Sequence, residues 1–131
     1  MREQERVGAP HEVNSRVILA HFGNGASMAS VKDGKPVDTT MSFTRTSGLP
    51  MSRRSGDLDP GPVSYLARTE GMSADRFHTM VNTESGLLGV SEMSSDMRDL
   101  LKQEHNDPRA AKAVALFCYQ VKKWIGALAA T

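Results

Sequence analysis

Val17-Ile18-Leu19-Ala20 runs directly into His21-Phe22-Gly23-Asn24-Gly25-Ala26. The apolar, partly β-branched run from Arg16 to Ala20 predicts a short buried strand. A glycine-rich turn follows, carrying an imidazole and a carboxamide. Further along, Arg53-Arg54-Ser55-Gly56-Asp57-Leu58-Asp59-Pro60 adds a guanidinium beside acidic residues. A strand ending in a bare-backbone turn, joined by positive charge from a distant loop, suits a phosphoryl group. Such a group needs close backbone N–H donors and held positive charge.

Ala26 to Val31 and Pro36 to Thr40 predict two more strands. Lys32-Asp33-Gly34-Lys35 between them predicts a tight hairpin, because Asp-Gly supplies the positive φ angles of such a turn. Thr39 to Pro60 is a long connection rich in Ser, Thr, Gly and Pro, and connections of that length usually carry function or lack order. Helices dominate the remainder. Asp59 can cap a helix with Pro60 in its first turn and Gly71 at its end. Ser73 starts another, with Phe77, Met80 and Val81 on one face. Gly86-Leu87-Leu88-Gly89-Val90 reads as an apolar turn, and Asp96 to Leu101 as a short helix. Asp107-Pro108 opens the longest helix, whose Ala110, Ala113, Val114, Phe117, Val121, Trp124 and Leu128 recur at helical spacing. A hairpin unit followed by several helices is α/β or α+β. Three strands make a thin sheet, and the last helix reaches Thr131 with no stop signal, which predicts a piece of something larger. Residues 1–15 are polar and predict a loosely ordered lead-in.

The 131 residues suffice for one domain. Lys and Arg number 16 against 15 Asp and Glu, a net charge of +1 that argues against a nucleic-acid groove or an anionic membrane surface as partner. The single cysteine, Cys118, excludes an intrachain disulfide, fits a reducing compartment and is expected in the core. Met1 to Arg6 lacks the apolar centre of a signal peptide, so a cytoplasmic location is expected. The eight Met residues fit no metal spacing, and no metal ligand is assigned. His11, His78, His105 and the Lys122-Lys123 pair are expected at the surface.

Taken singly, these residues also have plain structural readings. His21 is then a hydrogen-bonded structural histidine and Asn24-Gly25 a turn. Arg54 forms a surface ion pair with Asp57 or Asp59. Asp96 and Arg98 are a helix start and a surface charge.

The set taken together resembles the acetate kinases. His21-Phe22-Gly23-Asn24-Gly25-Ala26-Ser27, Asp33-Gly34-Lys35, Val37-Asp38-Thr39, Arg54 to Pro60, Glu84-Ser85-Gly86-Leu87-Leu88-Gly89 and Ser95-Asp96-Met97-Arg98 share that family's order and spacing, which propionate kinases share too. The resemblance runs from about Val7 to Thr131. It implies a partial actin-like ATPase (ribonuclease H-like) domain of the acetate and sugar kinase/Hsc70/actin superfamily. Residues 1–131 would form a single partial domain, with 1–15 leading into the nucleotide-side kinase portion at 16–131.

The implied activity moves the γ-phosphoryl of ATP to acetate or another short carboxylate, giving an acyl phosphate and ADP, in a homodimer that uses Mg²⁺. His21 and Arg54 would be catalytic. His21, Asn24 and Gly25 would meet the ATP phosphates, with Asp96, Met97 and Arg98 along the adenosine. Phosphoryl transfer asks mainly for alignment and charge stabilisation, and a guanidinium fork binds two oxygens at once. The family's first domain, its Gly-Thr-Ser-His segment, its adenine loop and its Mg²⁺-linked glutamate have no counterpart in this sequence. The isolated chain is therefore expected to be inactive, and the metal ligand to lie outside it. A competing expectation is a propionate kinase fragment. Another is a non-catalytic nucleotide-binding or assembly module, whose stripe of Phe117, Trp124 and Leu128 would need a partner chain. Locally, Arg45-Thr46-Ser47 stands where the family usually shows Pro-Leu-Glu or a relative, Ser42 and Ser52 replace common glycines, and Arg53 a common threonine. A serine at a position needing positive φ would be strained.

Overall fold

A computed structural model describes residues 16–131, so the expected lead-in over 1–15, with His11, lies outside the described residues. Strands β1 (Arg16–Phe22), β2 (Ala26–Lys32) and β3 (Lys35–Thr39) form an antiparallel sheet in sequence order. In β1 the strand continues past Ala20, so that Phe22 pairs with Ala26 and Gly23-Asn24-Gly25 closes a hairpin. The Gly23 N–H donates to the Gly25 carbonyl at 2.9 Å. The second hairpin closes at Asp33 and Gly34, with φ of 50° and 72°, as the Asp-Gly pair predicts.

Burial follows a period of two along β2, where Ala26, Met28 and Ser30 point into the core. The expected burial of β1 does not hold. Val17 and Ile18 are half-buried, Leu19 is 46% exposed, and every residue of β3 is exposed. These are the two edges of a sheet that is covered on one face only among the described residues.

The helices are α1 (Gly61–Glu70), α2 (Ala74–Thr83), α3 (Gly86–Ser91), α4 (Met97–Gln103) and α5 (Pro108–Ala129). At α1, Pro60 occupies the cap position with helical dihedrals, while the Asp59 carboxylate accepts the Gly61 N–H at 2.6 Å. Gly71 ends this helix at φ 62°. Ser73, Asp96 and Asp107 each cap the helix that follows. The run expected as an apolar turn is instead α3, because Gly86 at φ 63° swings the chain out of the extended Ser85 into a helical turn.

Two apolar clusters make the core. In one, Ala26, Met28, Leu49, Met51 and Leu128 pack with the half-buried Ile18, Val121 and Trp124. In the other, Leu87, Leu100, Ala110, Ala113 and Val114 join α3, α4 and α5. Phe117 packs against both. The α5 stripe therefore packs within this chain, and the expectation that Phe117, Trp124 and Leu128 need a partner chain is corrected. Cys118 is also corrected: it is exposed, one residue and about 100° of helix past Phe117, off the buried stripe. His78, His105, Lys122 and Lys123 are exposed as expected. No helix among the described residues is long and apolar enough to cross a membrane.

Candidate active site

The connection after β3 forms core. Leu49 and Met51 are 0% and 2% exposed. The backbone is pinched at Gly48 and Asp57: the Gly48 N–H donates to Asp57 Oδ1 at 2.8 Å, and the Asp57 N–H to the Gly48 carbonyl at 3.0 Å. Positive φ in this loop falls on Gly48 (86°) and Gly56 (75°) and on neither Ser42 nor Ser52, so the two serines carry no such strain.

The loop is then docked on the start of α3. The carbonyls of Met51, Ser52 and Arg53 accept the N–H groups of Leu87, Leu88 and Ser85 at 2.9, 3.0 and 3.0 Å. The first N–H groups of a helix have no partner within it, and here a loop supplies one. Gly86 makes this approach possible. A Cβ there would stand 2.6 Å from the Arg54 carbonyl and closer still to that of Met51. The motif at 84–89 was quoted in the sequence pattern but its docking role was not read from it. The signal was the glycine following Ser85.

The docked turn presents Arg54. Its Nη1 donates to the Arg45 carbonyl at 3.3 Å and to Met51 Sδ at 3.5 Å, and lies 3.6 Å from where a Cβ on Gly25 would be. The guanidinium thus rests against the glycine turn. Among the described residues Arg54 makes no ion pair. Asp57 and Asp59, the partners of its plain reading, accept backbone N–H groups instead.

A cleft of about 580 Å³ joins the turn to α4, lined among others by Phe22, Asn24, Met51, Asp96, Met97 and Arg98. Phe22 meets Phe117 edge to face, with centroids 5.7 Å apart, and both line this cleft. The Asp96 carboxylate accepts the Arg98 N–H at 2.8 Å and pairs with its guanidinium at 2.6 Å. The hydrogen bonds from Arg98 hold the Asp96 carboxyl down to about 2, and Asp96 raises Arg98 in return. Asp107-Pro108-Arg109 repeats this arrangement at the start of α5, away from the cleft. The Asp-x-Arg pattern is therefore first a helix cap, and only its position distinguishes the copy at 96–98.

A second concavity, about 630 Å³, is lined by Arg45, Arg54, Asp57, His78 and Asn82 among others. Arg54 belongs to this concavity and touches the turn whose Asn24 lines the first. His21 lines neither. It is exposed, with Nε2 3.0 Å from the Cβ position of Gly23, folded over its own turn. Among the described residues no group of three His, Cys, Asp or Glu could hold a metal ion.

The Acetokinase family model matches residues 2–131. An acetate kinase of Brachyspira hyodysenteriae is 46% identical over 114 residues, covering 87% of this chain and 29% of the relative. The crystal structure of Porphyromonas gingivalis acetate kinase superposes with a TM-score of 0.90 at 41% identity, covering 98% of this chain and 32% of that one. A propionate kinase from Francisella tularensis gives 0.84 at 37%, covering 88% and 30%. The chain thus spans about a third of the length of the relatives it matches. Its mixed α/β fold is part of the actin-like ATPase architecture of the acetate and sugar kinase/Hsc70/actin superfamily. With the family model matching residues 2–131 and relatives of 41–46% identity over most of its length, the chain belongs to the acetokinase family.

Proposed function

We propose that this chain supplies the nucleotide-side part of an acetate kinase, residues 16–131 contributing to the domain that holds ATP while the γ-phosphoryl passes to a short carboxylate. One observation carries the reading. The Arg54 guanidinium rests on the Gly25 turn, lines the second concavity, and has no carboxylate partner among the described residues. A planar fork held this way can span the oxygens of a phosphoryl group and of its acceptor.

The residues suit a nucleoside triphosphate. The cleft of about 580 Å³ lies within the usual range of small-molecule sites, and its rim combines the Asn24 carboxamide with the bare backbone of Gly23. ATP, when bound, supplies the phosphoryl group. Asn24 and Gly25 would hold its phosphates, His21 would stand over the turn beside them, and Asp96, Met97 and Arg98 would line the nucleoside side. Arg54 would stabilise charge as it spreads over the equatorial oxygens. Among the described residues no group of three His, Cys, Asp or Glu could hold Mg²⁺.

Transfer to acetate is the first reading, with propionate as the alternative acceptor. The complete protein is read as a homodimer, which the exposed Tyr119 and Ile125 on α5 support, and as cytoplasmic, which suits an exposed unpaired Cys118.

Calorimetric titration of this chain with ATP tests the proposal. Binding should weaken by about ten- to a hundredfold in Arg54→Ala and in Asn24→Ala, as loss of a charge-assisted contact predicts. Absence of binding, or binding indifferent to both changes, would overturn it. Acyl-phosphate formation, trapped as hydroxamate, should be absent from the isolated chain because stabilising groups from the facing side of the cleft are missing. Turnover by this chain would refute that part and leave the binding assignment standing.

A further inference from the structure

The concavity that Arg54 lines holds a second arginine. Arg45 lines it as well, and its carbonyl accepts the Arg54 Nη1 hydrogen bond at 3.3 Å, which ties the two residues together. Neither guanidinium pairs with a carboxylate among the described residues, whereas Arg76, Arg98 and Arg109 each do. The one acidic residue lining the concavity, Asp57, has its Oδ1 engaged by the Gly48 N–H. The neutral polar groups are also engaged locally. Ser47 Oγ donates to the Thr44 carbonyl, the Thr46 hydroxyl donates to Asn82 Oδ1, and Asn82 Nδ2 donates to the His78 carbonyl. Arg45 and Arg54 are the cationic residues of the lining, beside the imidazole of His78 and the hydroxyls of Ser42 and Thr44.

We propose that this concavity accepts a small dicarboxylate in preference to a monocarboxylate, Arg54 taking the reacting carboxylate and Arg45 the second anionic group. The inference rests on the carboxylate-acceptor reading above and sharpens it. At about 630 Å³ the concavity has room beyond a two-carbon acid, and two lining arginines without ion pairs among the described residues favour an occupant with two separated charges.

The test is a titration of this chain with acetate, malonate and succinate at matched ionic strength, followed by amide NMR shifts. Malonate or succinate should bind about tenfold or more tightly than acetate, the scale of one added charge-assisted contact. That ratio should fall toward one in Arg45→Ala and recover in Arg45→Lys, with shifts centred on residues 42–58 and 77–82. Equal affinities in the wild type, or a preference that survives Arg45→Ala, would overturn the inference. If acetate binds and Arg54→Ala removes it, but no dicarboxylate preference appears, this inference alone falls. If none of the three acids binds, the carboxylate-site reading falls with it.

Discussion

The connection from Thr40 to Pro60 and the strands β1 and β3 exchange the roles that secondary structure usually assigns. The connection has no regular structure, yet it contributes Leu49 and Met51, among the most buried side chains in the molecule. The strands are regular, yet Leu19 and Val37 are 46% and 48% exposed. The difference lies in where backbone hydrogen bonds find partners. The two edge strands satisfy the inward-facing half of theirs on β2 and leave the outward-facing half to solvent, so they stay exposed. The connection satisfies its own through the Gly48–Asp57 pinch, the Met51–Arg54 turn and the first N–H groups of α3. Once paired, it can be buried without leaving polar groups unmet. Irregular backbone bonded this fully can hold Arg54 as firmly as a strand would.

The sharpest way to break this contrast is Gly86→Ala. The new Cβ would collide with the Met51 and Arg54 carbonyls at a residue already at φ 63°. We expect a loss of about 3–5 kcal/mol from combined strain and overpacking, read as a lower urea midpoint, together with loss of ATP binding. A variant as stable as the parent would show that the docking of the loop on α3 is dispensable. Leu49→Ala should come next, at about 3 kcal/mol, from a side chain that is 0% exposed. The matching changes in the strands, Leu19→Ala and Val37→Thr, should stay within about 0.5 kcal/mol. A larger cost there would mean that the open face of the sheet is covered in solution.

The smallest effect is electrostatic and separates local capping from loop docking. The hydrogen bonds from Arg98 lower the Asp96 carboxyl from 3.8 to about 2. Because the folded value lies below the unfolded one, the carboxylate favours the folded state. Its contribution is complete above about pH 4 and disappears as pH falls through about 2. Asp107 moves in the same direction, through Arg109. Carboxyl-carbon NMR should give a low midpoint for Asp96 that returns toward 3.8 in Arg98→Ala, with no change in the loop. Shifts spreading to Arg54 would couple the cap to the loop, contrary to expectation.

Much of the local fold was legible in short spans of sequence. Asp33-Gly34 carries its own turn geometry, Asp96 and Asp107 carry their own caps, and β2 shows its period of two. The nearness of Gly25 and Arg54 was legible only through the resemblance of the whole motif set, because no local rule joins residues so far apart. The helical nature of Gly86–Ser91 was missed. Its glycines read as turn residues, while its N–H groups are satisfied by carbonyls from residues 51 and 52. Cys118 was misplaced because apolar character was read without the helical angle that turns it outward.

The sequence by itself determined the Asp33-Gly34 hairpin, the caps at Ser73, Asp96 and Asp107, the stripe of α5 and the family, since each depends on neighbours within a turn or on an ordered set of motifs. Only the tertiary structure decided that the Thr40–Pro60 connection is core, that Arg54 stands against Gly25 with no carboxylate partner among the described residues, and that Arg45 shares its concavity. Those outcomes depend on which distant backbone groups pair and on which faces of the sheet are covered. The free energies involved belong to contacts between segments and to none of the segments alone.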